Sequence, residues 1–539
     1  MSKQIIVIGS EARQRLVKGI NTLADAVTST LGPNGRNVVY SDGNGVYSTK
    51  DGVSVAKNIN SLEDPIEELG IRMIKQAAIK TADKAGDGTT TSTLLAQSMV
   101  NAGLKHLNNG ANAVEIKRGI DKAVSELIEK IRTELKEDIS SEEQLVQIAS
   151  ISANNDPEIG KLIAEAMKKV GREGVVHIEE SKSGETYLET VEGMQFDRGY
   201  KSPYMVTDNN TMSCVLNEVY ILILDKKLNQ VKEILPILES ISSQNKSLLI
   251  IAEDIDGEAL ATLIVNKTRG ILKSAAVKAP DFGERRKLIL EDIAILTGGT
   301  VISPEKGMKL EKFDSNWLGY ARSITINKDT TTIVDGKGDE AKIEARIDEL
   351  TKQIENAKSP FEQEKLQERL AKFVGGISII HVGGNTETEI KERKDRFDDA
   401  LHATKAAIEE GIVPGGGAAL LHMRDLIEVN NIGAEIVYNA CSAPLTKILT
   451  NAGVETETIY GVINSIKDSQ SWIGYDLKSE ELVNMKEAGI IDPAKVTRTA
   501  LENAASVAGT ILLTECTIVD KPEDKNSTPD FNSMMNGMM

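Results

Sequence analysis

Ala85-Gly86-Asp87-Gly88-Thr89-Thr90-Thr91 constrains this chain more than any other stretch. Two glycines bracket one carboxylate, and three hydroxyls follow directly. Leu94, Leu95, Met99, Val100, Leu104 and Leu107 come next at helical spacing and put one apolar face on a core. A tight Gly turn feeding a helix N-terminus aims backbone N–H groups and the positive dipole end at one point, which suits an anion. Asp87 would repel a bare phosphate, so it makes sense with a divalent cation in between. Hard cations such as Mg²⁺ take oxygen ligands and share them with phosphates. A Gly-flanked turn whose Asp and Thr merely cap the helix accounts for the same residues. The choice between the two rests on the other motifs.

A formal charge of −18 argues against a nucleic-acid partner and for a self-repelling surface. With 539 residues, about three to four domains by length, and 40% hydrophobic residues, several cores are within reach. Aromatic residues make up only 4%, so those cores must be aliphatic. Cys214, Cys441 and Cys516 lie far apart without a CxxC, which argues against a disulfide framework or a zinc site and fits a reducing compartment. The five histidines show no metal-ligand spacing. The longest clean apolar run, 219–224, has strand length rather than membrane length, and the first residues lack the apolar core of a signal peptide. A cytoplasmic location without a membrane partner is the expectation.

Along the chain, Leu16, Ile20, Leu23, Val27 and Leu31 form a helical stripe stopped by Gly32-Pro33. Residues 38–40 and 45–47 flank Ser41-Asp42-Gly43-Asn44 and read as a hairpin. Lys50-Asp51-Gly52-Val53 is a second Gly turn with a carboxylate, and Asp64-Pro65 starts a helix. A further helix is expected over 112–135. The middle changes character: 219–225, 248–252, 274–279 and 293–296 read as short buried strands, with helices near 229–242, 256–269 and 284–292 between them. Such alternation predicts right-handed crossovers and a parallel α/β layer. Residues 339–373 read as a charged helical hairpin broken at Ser359-Pro360, followed by a glycine hinge at Gly375-Gly376. From Arg396 the chain reads as helical again. It ends in a polar, Met-rich tail, disordered from about 525 to 539.

Six motifs, in order and at matching spacing, resemble the group I chaperonins of the GroEL type. They are Leu31-Gly32-Pro33-Asn34-Gly35-Arg36-Asn37, Lys50-Asp51-Gly52-Val53, the opening stretch, Asp399-Ala400-Leu401-His402-Ala403-Thr404, Ala406-Ala407-Ile408-Glu409-Glu410-Gly411 with Gly415-Gly416-Gly417, and Ile491-Asp492-Pro493-Ala494-Lys495-Val496-Thr497-Arg498. The resemblance covers essentially the whole chain. It implies a multidomain α and α/β chaperonin fold: a helical equatorial domain from 1–134 and 410–539, a small hinge (intermediate) domain from 135–191 and 378–409, and an α/β apical domain from 192–377. It also implies an ATP-dependent chaperone built as seven-membered rings, two of them stacked, acting on non-native polypeptides with a GroES-type lid.

Carried over residue by residue, the resemblance makes Asp87 the Mg²⁺ ligand and Gly88, Thr89, Thr90 and Thr91 donors to phosphate oxygens, with K⁺ as a second candidate ion. Gly32 and Lys50 lie at the phosphates, and Thr30 and Pro33 flank them. Asp51 lies near the γ-phosphate, and Asp399 orients the attacking water from the hinge domain. Gly416 and Asp492 hold the ribose, while Leu31, Ile491, Asp476 and Leu477 stand at the adenine. This division suits phosphoryl transfer, which needs positioning, a metal and an oriented water. In the middle domain Leu235 and Leu238, with Leu260, Ile264 and Val265, would form an apolar groove for clients and lid, extended by Tyr200, Ser202, Tyr204 and Met205. Leucines at this spacing are equally what a core requires. Arg198 and Glu387 match a latch between domains.

Several positions depart from the family pattern. Asp476-Leu477 replaces Asn-Ala, Met205 replaces an aromatic, Pro414 precedes the triple glycine, the 41–49 hairpin is one residue short, Trp317 and Trp472 are additions, and the tail is a reduced Gly-Gly-Met repeat. A kinase is a poorer reading, because the triple-Thr turn lacks a Walker lysine. A group II chaperonin would carry a long apical protrusion, and 253–275 has no insertion to supply one. A binding or scaffold ring with a weak ATPase is the remaining alternative.

Overall fold

Glycines decide how the first helices meet. In the computed structural model, helix Ser10–Thr28 crosses helix Pro65–Ala85 at Gly19 and Gly70. A Cβ at these positions would lie 1.9 Å from the Glu67 carbonyl oxygen and 2.1 Å from that of Leu16. The backbones can approach this closely only without side chains. The described residues are 4–521 except 42–44, 172–173, 182, 210, 311–312, 358 and 375. The turn expected at 42–44, Gly375 of the glycine hinge and the Met-rich tail lie outside them.

The chain forms two units, Met1–Ala164 with Glu387–Met539, and Glu165–Thr386. In the first unit, helices Thr89–Asn108, Ala113–Lys130 and Ala494–Leu512 pack with the crossing pair. Their shared core holds Ile20, Leu23, Ile74, Leu95, Met99, Ile120 and Leu501, and no aromatic side chain is fully buried in it. The Pro65–Ala85 helix starts as its sequence predicts, with Asp64 accepting from the Ile66 N–H at 2.8 Å and Pro65 in the first turn. The 112–135 segment is helical, its last turn widening to a π-turn at Ile131–Leu135. Two short strand pairs tie distant segments together: Gln4–Ile8 with Cys516–Asp520, and Ile412–Pro414 with Ile491–Pro493. The hairpin Val38–Ser41 with Val46–Thr49 stands by itself as a two-stranded sheet.

The second unit is built on a six-stranded sheet in the order Gly193–Phe196, Thr331–Gly336, Gly319–Ile326, Cys214–Leu228, Ser247–Ile255, Lys273–Lys278. Only the last three strands run parallel; the others pair antiparallel, so the sheet is mixed. Helices Leu235–Ser243 and Gly257–Thr268 connect successive parallel strands in one direction, and right-handed crossovers then put both on one face. A smaller sheet joins Val175–Glu180, Ile377–Val382 and Tyr187–Val191.

The expected strand at 293–296 is instead the end of helix Gly283–Thr297, stopped by Gly298 at φ +71°. Asp292, just before it, explains the difference. Its carboxylate is 2% exposed and accepts from Arg346 Nε at 2.9 Å and from Arg369 Nε and Nη2 at 2.8 and 3.0 Å. The two arginines come from the helices Glu340–Asn356 and Pro360–Val374 of the charged hairpin. A buried carboxylate needs such partners to offset its desolvation, and here the helix holds Asp292 against both arginines. Among the described residues no helix is long and apolar enough to cross a membrane.

Candidate functional site

Helix Pro65–Ala85 ends at Gly86, whose φ of +74° lies in the left-handed region and whose N–H donates to the Ala82 carbonyl at 2.8 Å. Asp87 follows, then Gly88 at φ +83°, directly before helix Thr89–Asn108. Space as well as conformation demands these glycines. A Cβ on Gly86 would sit 2.2 Å from the Cβ of His402, and one on Gly88 would sit 2.6 Å from Val496 Cγ1. With Gly88 in the capping position, no side chain caps the helix, so its first-turn amides lack a side-chain acceptor.

The turn borders a cavity of about 610 Å³ within the first unit. Thr30, Leu31, Gly32 and Pro33 line it from the segment after helix Ser10–Thr28, and Asn451 Nδ2 pins that segment by donating to the Thr28 and Leu31 carbonyls at 3.0 and 2.9 Å. Lys50 and Asp51 line it from the turn before helix Gly52–Asn58, and Asp87, Gly88, Thr89, Thr90 and Thr91 form another wall. Asp399 enters from helix Glu387–Glu410; Gly416, Asp476, Leu477 and Asp492 come from the last third of the chain. Ile491 does not line the cavity. It is buried with Ile148, Ala403, Ala407 and Ile412, and its neighbour Ile490 faces the space instead. Val413 pairs with Asp492, and strand alternation sends Asp492 and Ile491 to opposite sides.

The cavity's carboxylates differ in what holds them. Asp51 accepts from the Val53 and Ser54 amides at 3.0 and 2.8 Å, so it caps its helix while facing the cavity. Asp87 accepts from the Gly88 amide and from Ser152 Oγ, the latter at 2.8 Å. Burial nevertheless pushes the Asp87 carboxyl up, against the pull of those two donors, and nearby Asp51 adds to the rise. Asp399 stands well above the usual carboxylate range, first through burial and then through Asp87, Asp51, Asp398 and Asp395. Burial and Asp87 lift Asp492 to about 7. Among the described residues, Asp395, Asp399 and Asp492 have no hydrogen-bond or ion-pair partner for their carboxylates. Carboxylates gathered and buried in this way, without partners of opposite charge, are costly. Among the described residues no three His, Cys, Asp or Glu side chains group closely enough to hold a metal by themselves.

In the second unit, helix Gly257–Thr268 is tied to the 203–206 segment by Lys267 Nζ, which donates to the Tyr204 and Val206 carbonyls at 3.1 and 2.8 Å. Tyr204 is 74% exposed, and Leu235 and Val265 are also exposed. Leu260, Ile264 and Tyr200 are partly buried against the core, and Ser202 is buried. Leu238 and Met205 are corrections to the expected groove. They are 5% and 1% exposed and belong to the core under the sheet, Leu238 because it falls on the inward face of its short helix. Arg198 lies in this unit with its Nε 3.5 Å from the Ala279 carbonyl, and Glu387 opens a helix of the other.

Sequence reasoning missed Asp395, Ser152, Asn451 and Ile490. Asp395 could have been found, because it lies one helical turn before Asp399 and so shares its face. Ser152 and Asn451 carry no local signal; only the fold brings them to the cavity. Residues 23–522 match the family model described as the TCP-1/cpn60 chaperonin family.

A carboxyl whose folded value is raised stabilises the fold fully only below its unfolded value, and that contribution is lost as pH rises through the folded one. Asp395, Asp398 and Asp492, raised by burial to about 6, about 7 and about 7, place this loss between roughly pH 4 and 7. The melting temperature of the nucleotide-free protein in EDTA should therefore fall from pH 5 to pH 8. Asp492→Asn should recover roughly 1–2 °C at pH 8 and nothing at pH 5. A pH-independent difference between variant and parent would contradict this assignment of charge.

Proposed function

Because the chain belongs to the TCP-1/cpn60 chaperonin family, with its multidomain α/β fold and its role in protein folding, we propose that it is an ATP-driven folding chamber of the group I type. The observation that carries the reading is the uncapped N-terminus of helix Thr89–Asn108 facing the same cavity as Asp87 and Asp399. Free amides suit phosphate oxygens, and the surrounding carboxylates suit a nucleotide that arrives with a cation. Asp87 would hold Mg²⁺, and the ion would offset phosphate charge during transfer. The donor set fits, since one carboxylate beside a row of amides leaves the remaining oxygen ligands to the nucleotide. Thr89, Thr90 and Thr91 bind and orient the phosphates, and Asp51 lines the same cavity. Asp399, on the helix Glu387–Glu410, orients the attacking water. Leu31, Ile490 and Leu477 offer apolar surface for the base.

Two features support the group I assignment. Strand Ser247–Ile255 is followed, after Asp256, by helix Gly257–Thr268, and strand Lys273–Lys278 comes soon after, leaving no room for a built-in protrusion. A separate lid of the GroES type follows. Tyr204, Leu235 and Val265 offer exposed apolar area where a client or lid segment would bind. Ring formation is supported by the two open strand pairs, where Ile6, Ile8, Ile518, Val39 and Val46 are all exposed. Unpaired strand edges with apolar side chains are a liability unless a neighbour covers them, and head-to-tail contacts close into rings.

Light scattering should return a mass several times that of one chain, and a monomer with and without ATP would refute the ring. Leu235→Glu should abolish capture of an unfolded client with little change in melting temperature. Leu238→Glu should unfold the second unit, since it puts a carboxylate into a core. Equal melting losses in both variants would remove Leu235 from the client surface. Asp399→Ala should bind ATP almost normally and hydrolyse it about 10²–10⁴-fold more slowly, as loss of an acid–base group does. Asp87→Lys should weaken binding as well, because it removes a metal ligand and reverses a charge. Near-normal turnover by Asp399→Ala would remove Asp399 from the water-orienting role, and no hydrolysis by the parent would favour the scaffold-ring alternative.

A further inference from the structure

The cavity's acidic groups fall into two sets. Asp51 and Asp87 are committed: each accepts hydrogen bonds from backbone amides, Asp87 also from Ser152. Asp395, Asp399 and Asp492 have no partner for their carboxylates among the described residues, and Asp395 and Asp399 line the cavity from one face of helix Glu387–Glu410, one turn apart. Only one of the two is needed to orient a water. We propose that Asp395 is a further catalytic residue, the proton acceptor for the water that Asp399 orients. This rests on the ATP-hydrolysing reading given above. The water oxygen bonds to the γ-phosphorus as the bond from that phosphorus to the bridging oxygen breaks, and ADP leaves with the electron pair. The water's proton passes to the Asp395 carboxylate and then to the released phosphate or to solvent, so the residue returns to its starting state.

The electrostatics divide the labour in the same way. Burial first, and then Asp87, Asp51, Asp398 and Asp395, raise Asp399 well above the usual carboxylate range. Asp395 is lifted by burial and Asp51 only to about 6, with Lys391 and Lys394 pulling it down and Glu392 adding a small push. It is thus ionised at pH 7 yet basic enough to take a proton, the range that suits a general base. Lys50 and Asp51, from the turn before helix Gly52–Asn58, and Asp87 line the same cavity. Asp51 is already engaged by two backbone amides.

The test is the pH profile of single-turnover ATP hydrolysis by the full assembled protein, with nucleotide affinity and melting temperature measured alongside. The parent should lose rate below about pH 6, tenfold per pH unit. Asp395→Asn should hydrolyse ATP at least tenfold more slowly at pH 7, without that acid limb, with ATP affinity within about threefold of the parent and a melting temperature no lower than the parent's. Asp395→Glu should restore rate and limb in part. An Asp395→Asn rate equal to the parent's, or a reduced rate that keeps the same acid limb, overturns the assignment while leaving the ATPase reading intact. A parent that binds ATP and never hydrolyses it overturns both.

Discussion

A turn with no room for side chains underlies the site. Gly86 and Gly88 lie in the left-handed region, and each also lies against another element, Gly86 against His402 and Gly88 against Val496. The two contacts bring segments more than 300 residues away in sequence down onto one carboxylate. A larger residue at either position would have to overcome backbone strain and displace a helix at once. The uncapped amides of Thr89–Thr91 and the placement of helix Glu387–Glu410 follow from the same turn. His402 lies less than one turn beyond Asp399, so the packing that seats the ring on Gly86 also sets where Asp399 enters the cavity.

Charge is handled differently in the two units. In the second, Asp292 is buried with two arginines that satisfy it, a closed arrangement in which a carboxylate joins three helices. In the first, the cavity gathers Asp51, Asp87, Asp395, Asp399 and Asp492, with Lys50 and Arg396 at its wall. Arg396 is turned to Glu392 and Asp156 rather than to these carboxylates. A set of acids left open in this way raises its own proton affinities. The fold tolerates the cost because its aliphatic core extends through the same helices. The closed set holds a fold together; the open one awaits countercharge.

Local chemistry in the sequence was a good guide to turns and caps. Asp64-Pro65, Gly32-Pro33 and the glycines at 86 and 88 act where they stand because their effects reach only a few residues. Nearly all residues expected around a nucleotide line one cavity for a related reason, since they occur in short turn motifs. Legibility ended where side-chain direction depends on a distant partner. Ile491 was read into the cavity and lies in the core, because its strand partner Ile412–Pro414 sets which way it points. Leu238 looked like Leu235, three positions earlier on the same helix, and only the sheet beneath separates them. The apolar residues at 293–296 suited a strand until Asp292 met two arginines from another segment.

The helix Glu387–Glu410 links these points. It is the segment by which the chain returns to the first unit, and it follows directly on strand Ile377–Val382 of the second with a short connection. Both unpartnered carboxylates of the proposed hydrolysis lie on it, whereas the groups assigned to bind phosphate lie on turns in the core of the first unit. An element that carries the water-handling groups and begins where the two units join can separate binding from hydrolysis. In the proposed mechanism, nucleotide contacts on the fixed turns do not require the helix to be seated, and transfer of the water's proton does. A small displacement of one rigid helix then costs little affinity and much rate, since reacting groups tolerate misplacement poorly. Arg498 bears on how firmly the helix is seated. It grips Glu410 at the far end with Nε and Nη2 at 2.9 and 2.6 Å, a bidentate pair that holds that end to helix Ala494–Leu512. The Glu410 end is thus anchored twice, by this pair and by His402 on Gly86, while Asp395 lies nearer the end that begins at the unit boundary.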